Sequence, residues 1–193
     1  MNKNVLIYNY DYSMLGVDLE GEFLISSILT LSSQIKSKSK RNFLITYQNK
    51  YIYSHNQIDN LIKKYSSIIY WDNDLKKFQM ESEKYLLRKS LIEMNGSKYI
   101  LIPFWLFNIV NIHGLNFTQL YIIALVLSYF YDKKKFNWAK ETIARKLGMV
   151  SDYSITKNIH KLQNLGLIEI TRTNKTNILS VTDKFLFYEN KSN

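Results

Sequence analysis

Cysteine is absent from the 193 residues, which excludes a disulfide framework, thiol catalysis and cysteine-based zinc sites and fits a reducing cytoplasm. Proline occurs once and glycine six times, and neither a GxGxxG loop nor a Walker loop is present. Long apolar runs are also missing. The longest, Leu120 to Tyr131, is about 12 residues and carries Ser128 and several tyrosines, whereas a membrane span needs roughly 20. The opening "MNKNVLIYNYDYSML" turns polar quickly and has no small-residue cleavage site, so a signal peptide and a membrane partner are not expected. The three histidines, His55, His113 and His160, are far apart in sequence, and no HExxH accompanies them. Asp72 and Asp74 read as a turn. No catalytic residue, metal or cofactor is therefore expected, and the chain reads as non-enzymatic.

What is present is 46% hydrophobic residues, enough for a packed core, and a net charge of +10. The surplus is uneven: residues 1–96 carry 13 basic and 10 acidic side chains, a net of +3, and residues 97–193 carry 13 and 6, a net of +7. A basic surplus favours a polyanionic partner, although a lysine-rich solvated surface gives the same totals.

In the first half, "VLIYNY" predicts a strand. A helix is expected from Asp18 through "DLEGEFLISSILTLSSQI", with acids in its first turn. "NFLITYQNKYIY" is rich in aromatic and branched residues and predicts a strand pair or one bent strand. Ser54 is the expected N-cap of "HNQIDNLIKKY". "SSIIYWDNDLKKF" reads as a short strand and a polar turn. "ESEKYLLRKSLIEM" predicts a helix stopped at Asn95-Gly96, and "KYILIPFWLF" a strand limited by Pro103. The aromatic series Tyr47, Tyr51, Tyr53, Tyr65, Tyr70 and Trp71 is either core or a partner surface, with core favoured.

The second half is more regular. "GLNFTQLYIIALVLSYFY" is apolar nearly all round, as a central helix is, with a cap at Asn116 or Thr118. "AKETIARKLG" predicts a short helix with Ile143, Ala144 and Leu147 inward and Gly148 as its cap. In "DYSITKNIHKLQNLG", capped at Ser151 or Asp152, Ile155, Ile159 and Leu162 form one buried stripe. "LIEITRTNKTNILSVTDKF" alternates around Thr173-Asn174-Lys175 as a β-hairpin with a basic tip.

From Lys98 to about Phe187, the segments "YILIPFWLF", "LNFTQLYIIALVLSYF", "ETIARKLG" and "SITKNIHKLQNLGLIEI" resemble the winged helix-turn-helix domains of bacterial plasmid and phage replication proteins and related regulators. The fold implied is α+β and mostly helical, with a winged helix-turn-helix in a domain at 97–193. Residues 1–96 then form an α/β region that serves for dimerisation or is a degenerate second winged helix. The second possibility rests on residues 54–102, where two amphipathic segments and an apolar strand repeat the C-terminal order.

In such a domain the longer helix enters the major groove. Its faces away from the buried stripe hold Tyr153, Ser154, Thr156, Lys157, His160 and Lys161, which can bond base edges or phosphates. Arg172 and Lys175 flank the wing tip, and Lys140 and "DKKK" at 132–135 lie at the other end. The expected function is sequence-specific binding of double-stranded DNA for a plasmid or phage, in replication initiation or transcriptional regulation. The expected assembly is a homodimer or a tandem-domain monomer that can also engage host replication or transcription proteins. The alternative is a winged-helix protein-protein module that bridges or inhibits partners without touching DNA.

Overall fold

The computed structural model describes residues 4–51, 53–137, 143, 144, 147, 152–172 and 177–192. The architecture is α+β, with helices predominating over small antiparallel sheets among the described residues. The chain divides after Phe107 into two compact units.

In the first unit, β1 (Val5–Tyr8) pairs antiparallel with β4 (Tyr99–Ile102), Val5 opposite Ile102 and Tyr8 opposite Tyr99. That pairing draws residues 97–107 to the first unit, so the division falls later than 96/97. Helix α1 (Leu19–Ser32) is capped by Asp18, whose carboxylate accepts from the Gly21 amide at 2.7 Å. It is buried on almost every side, and its Phe23, Leu24, Ile25 and Ile28 are the centre of the core. A Cβ at Gly21 would lie 2.6 Å from the Tyr65 ring, so only glycine lets that ring sit on the first turn of α1. The Tyr65 hydroxyl donates to Asp18 at 2.9 Å from there.

The segment expected to be a strand pair is instead a helix, α2 (Lys40–Lys50), capped by Ser39. Its β-like composition is overridden by spacing: Phe43, Leu44, Tyr47 and the following Tyr51 fall on one buried helical stripe. The Tyr47 hydroxyl, fully buried, bonds Ser27 Oγ of α1 at 2.5 Å. Helix α3 (His55–Lys64) starts at Ser54 as expected, with a capping box to Gln57. Of the aromatic series, Tyr47, Tyr51, Tyr53 and Tyr65 are core, and Tyr70 is exposed.

β2 (Ile69–Asp72) and β3 (Lys77–Met80) form a hairpin, where sequence suggested one strand and a turn. Asp72 shapes the turn by accepting from the amides of Asp74 and Leu75. Helix α4 (Ser82–Met94) ends as expected near Gly96, at φ +66°. The hairpin between α3 and α4, and the pairing of β4 with β1, do not repeat the C-terminal order. A degenerate second winged helix in residues 54–102 is therefore not what the topology gives.

An ion pair lies inside this unit. Glu22 of α1 is completely buried and takes both a bond to Nε and one to Nη2 of Arg88 on α4. Arg88 also donates to Ser26 Oγ at 2.8 Å, and Tyr10 donates to Glu22 at 2.5 Å. Burial, together with the charge of Glu22, pushes the Tyr10 hydroxyl far above its ordinary range.

Helix α5 (Leu106–His113), not expected from the sequence, leads into the second unit and ends at Gly114, φ +57°. Its apolar residues continue the run that predicts a strand, but Pro103 closes β4 and leaves the rest to turn helical. Helix α6 (Phe117–Tyr131) is the expected central helix, with Leu120 to Leu127 buried without interruption. β5 (Phe136–Asn137) and β6 (Ile168–Arg172) flank β7 (Asn177–Val181) in a three-stranded antiparallel sheet. Helix α7 (Asp152–Asn164) precedes this hairpin, and helix α8 (Asp183–Ser192) follows it. The expected short helix is described only at Ile143, Ala144 and Leu147, of which the first two are helical and buried. Its cap Gly148 and Ser151 lie outside the described residues.

Candidate nucleic-acid interface

Helix α7 has two unlike sides because of its residue spacing. Ile155, Ile159 and Leu162 are at most 1% exposed and face α6 and β6. This inward stripe is the one the sequence predicts. Burying three aliphatic side chains contributes roughly 1.5–3 kcal/mol each relative to leaving them in water, enough to fix which face of the helix points outward. On the other side Tyr153 is 77% exposed. Lys157, His160, Lys161 and Asn164 are exposed as well, while Ser154 and Thr156 are half-buried. Tyr153, Thr156, Lys157, His160 and Lys161 line one groove along the helix, together with Asn164 and Leu165.

Three polar side chains fix the orientation of that face. Asn116 caps α6 by accepting from the Gln119 amide at 3.0 Å, and Gln119 Oε1 accepts from the Asn116 amide at 3.1 Å. Gln119 Nε2 donates to Asn158 Oδ1 at 2.8 Å, and Asn158 Nδ2 donates to the Ser154 carbonyl at 2.8 Å. Lys161 Nζ reaches Gln119 Oε1 at 3.4 Å. A single glutamine, 3% exposed, thus closes the first turn of α6 and ties two turns of α7 to it. The Lys161 ammonium is drawn toward this clasp, whereas the exposed Lys157 makes no ion pair among the described residues. His160 Nδ1 lies 3.3 Å from Gln163 Oε1 on the same helix.

The far end of α7 is held by the segment after the hairpin. Gly166, at φ +67°, turns the chain out of the helix into β6. Thr182 caps α8 by accepting from the Phe185 amide, and its hydroxyl donates to the Gly166 carbonyl at 2.6 Å. Lys184 Nζ donates to the Leu165 carbonyl at 2.9 Å, satisfying a C-terminal carbonyl of α7. Phe185, fully buried, anchors α8. Beyond the Thr182-Asp183 pair, little in the residue pattern marks this helix.

The hairpin carries Arg172 at the end of β6, exposed and opposite Asn177. Lys175 at the tip, and Lys140, lie outside the described residues. In the basic turn after α6, Lys134 is already paired with Asp132 at 3.1 Å. Among the described residues no group of three or more His, Cys, Asp or Glu side chains could hold a metal ion, and no helix is long and apolar enough to cross a membrane.

No protein-family model matches the chain, and comparison with curated proteins and with solved structures gives no match. What the surface can do rests on its own chemistry. A helix face bearing ammonium groups, an imidazole, a phenol and carboxamides, with no carboxylate from Tyr153 to Asn164, suits an anionic and hydrogen-bonding partner. Asn164 and Gln119 were missed from sequence. The Asn116-x-x-Gln119 spacing of a capping box was the available signal for Gln119.

Proposed function

We propose that this protein binds double-stranded DNA through its second unit, which acts as a winged helix-turn-helix. Helix α7 lies in the major groove, and the β6–β7 hairpin serves as the wing, bringing Arg172 against the backbone or the adjacent minor groove. The observation that carries this reading is the division of α7 into an aliphatic stripe and an exposed stripe. The exposed stripe begins at Tyr153, near the helix start, and carries Lys157, His160 and Lys161. The N-terminal part of a reading helix is what reaches base edges. The rigid support under it, from Gln119 to Asn158, is what a reading surface needs. The surplus of +7 in residues 97–193 supplies the long-range attraction.

The role proposed is replication initiation or transcriptional control for a plasmid or phage, without catalysis or cofactor, in the cytoplasm and as a homodimer on a symmetric site. A protein-protein module is the second reading, favoured by Ile112, 64% exposed, and Phe187, 55% exposed, on the same unit. A mobility-shift assay with wild-type protein and Lys157→Glu separates the two. DNA binding predicts a retarded duplex that the variant, equally folded by circular dichroism, fails to retard. Equal retardation by both proteins would show that α7 is not the contact.

A further inference from the structure

The exposed stripe of α7 has a chemical bias that narrows the DNA it fits. Between Asp152 and Asn164 there is no arginine, so the commonest specific contact, a guanidinium on guanine O6 and N7, is unavailable to this helix. Asn158, which suits adenine by its chemistry, is occupied by Gln119 and the Ser154 carbonyl. The face instead presents an aromatic ring, Tyr153, 77% exposed. Thr156 lies one turn further along the same groove. In the major groove the apolar group that such side chains meet is the 5-methyl of thymine. From Tyr153 to His160 the helix rises about 10 Å, the length of roughly three base-pair steps.

A second feature points the same way. Arg172 is exposed at the end of β6. An arginine beside a reading helix is held best where the minor groove is narrow, as it is in A-tracts.

Building on the DNA-binding reading above, we infer that the duplex taken by this face is A·T-rich and is read through thymine 5-methyl groups packed against Tyr153. The lysines grip phosphates and add affinity without selecting sequence.

The test uses the full chain and three labelled hairpin duplexes of equal length at low salt: alternating A-T, the same with every thymine replaced by uracil, and alternating G-C. Fluorescence anisotropy should give the order thymine, uracil, G-C, with uracil weaker by about fourfold for each methyl group contacted. Tyr153→Ala, at a site too exposed to disturb the core, should abolish the preference for the thymine over the uracil duplex. Equal affinity for thymine and uracil duplexes, tighter binding of G-C, or a thymine preference that survives Tyr153→Ala overturns the inference while leaving DNA binding in place. No binding to any of the three overturns the DNA-binding reading itself, and the inference with it.

Discussion

Gln119 Nε2 donates to Asn158 Oδ1 at 2.8 Å, and the other face of the same carboxamide, Oε1, closes the capping box of α6 on the Asn116 amide. One side chain therefore couples the start of the central helix to the middle of α7. The coupling is polar, nearly buried and specific in direction, so it sets the rotation of α7 about its axis more sharply than the aliphatic stripe alone.

Replacing Gln119 separates its two tasks. Gln119→Ala removes both and leaves Asn158 Oδ1 without its donor, at a cost of about 1–3 kcal/mol in urea denaturation. Gln119→Glu keeps an acceptor for the Asn116 amide but sets a nearly buried carboxylate oxygen against Asn158 Oδ1, so its loss should be at least as large. A loss well below that of Gln119→Ala would show that the clasp to Asn158 contributes little.

The ion pair between Glu22 and Arg88 gives a larger effect in the first unit. Glu22 is fully buried and the Arg88 side chain 11% exposed, so solvent screens the pair little. Arg88→Ala leaves a carboxylate stranded in the core and should cost about 3–5 kcal/mol. The double variant Glu22→Leu/Arg88→Met should recover most of that stability, since a matched apolar pair avoids the desolvation penalty. A single-variant loss below about 1 kcal/mol, typical of an exposed pair, would contradict the buried geometry.

Asp18 predicts a pH dependence. Burial opposes ionisation of its carboxyl, but hydrogen bonds from Lys64, the Gly21 amide and Tyr65 outweigh it and hold the group below the usual carboxylate range. A depressed folded value means that the stabilisation is complete above the ordinary carboxylate value and is lost as pH falls through the lower folded one. The wild type should thus lose stability more steeply than Asp18→Asn on acidification in that window, and the two should run parallel at neutral pH and above. Parallel curves throughout would show that the carboxylate is not held in its charged form.

How far the sequence led depended on which residues carried the signal. Caps with defined spacing were legible: Ser54 begins α3 as expected, and of the two caps offered for α6, Asn116 is the one observed. The aliphatic stripe of α7 was legible too, because its period admits one face only. Helix α2 was not legible because Tyr47 and Tyr51 favour strands by composition, and the partner that decides otherwise, Ser27 on α1, lies 20 residues before Tyr47. Helix α5 was hidden in an apolar run continuous with β4. The face of α7 could be listed from sequence, but not the inward turn of Asn158 nor the pull of Gln119 on Lys161, which depend on a residue of another helix. Lys140 and Lys175 lie outside the described residues.

Whether α7 and its flanking wing grip duplex DNA is decided by the salt dependence of binding. Fluorescence anisotropy of the full chain with an A·T-rich duplex, over roughly 50 to 200 mM salt, measures the number of phosphates neutralised. Phosphate contact through α7 predicts a linear fall of log affinity with log salt, and a slope reduced by about one in Lys157→Ala if Lys157 neutralises a single phosphate. A salt-independent affinity, or no binding at the lowest salt, would contradict it.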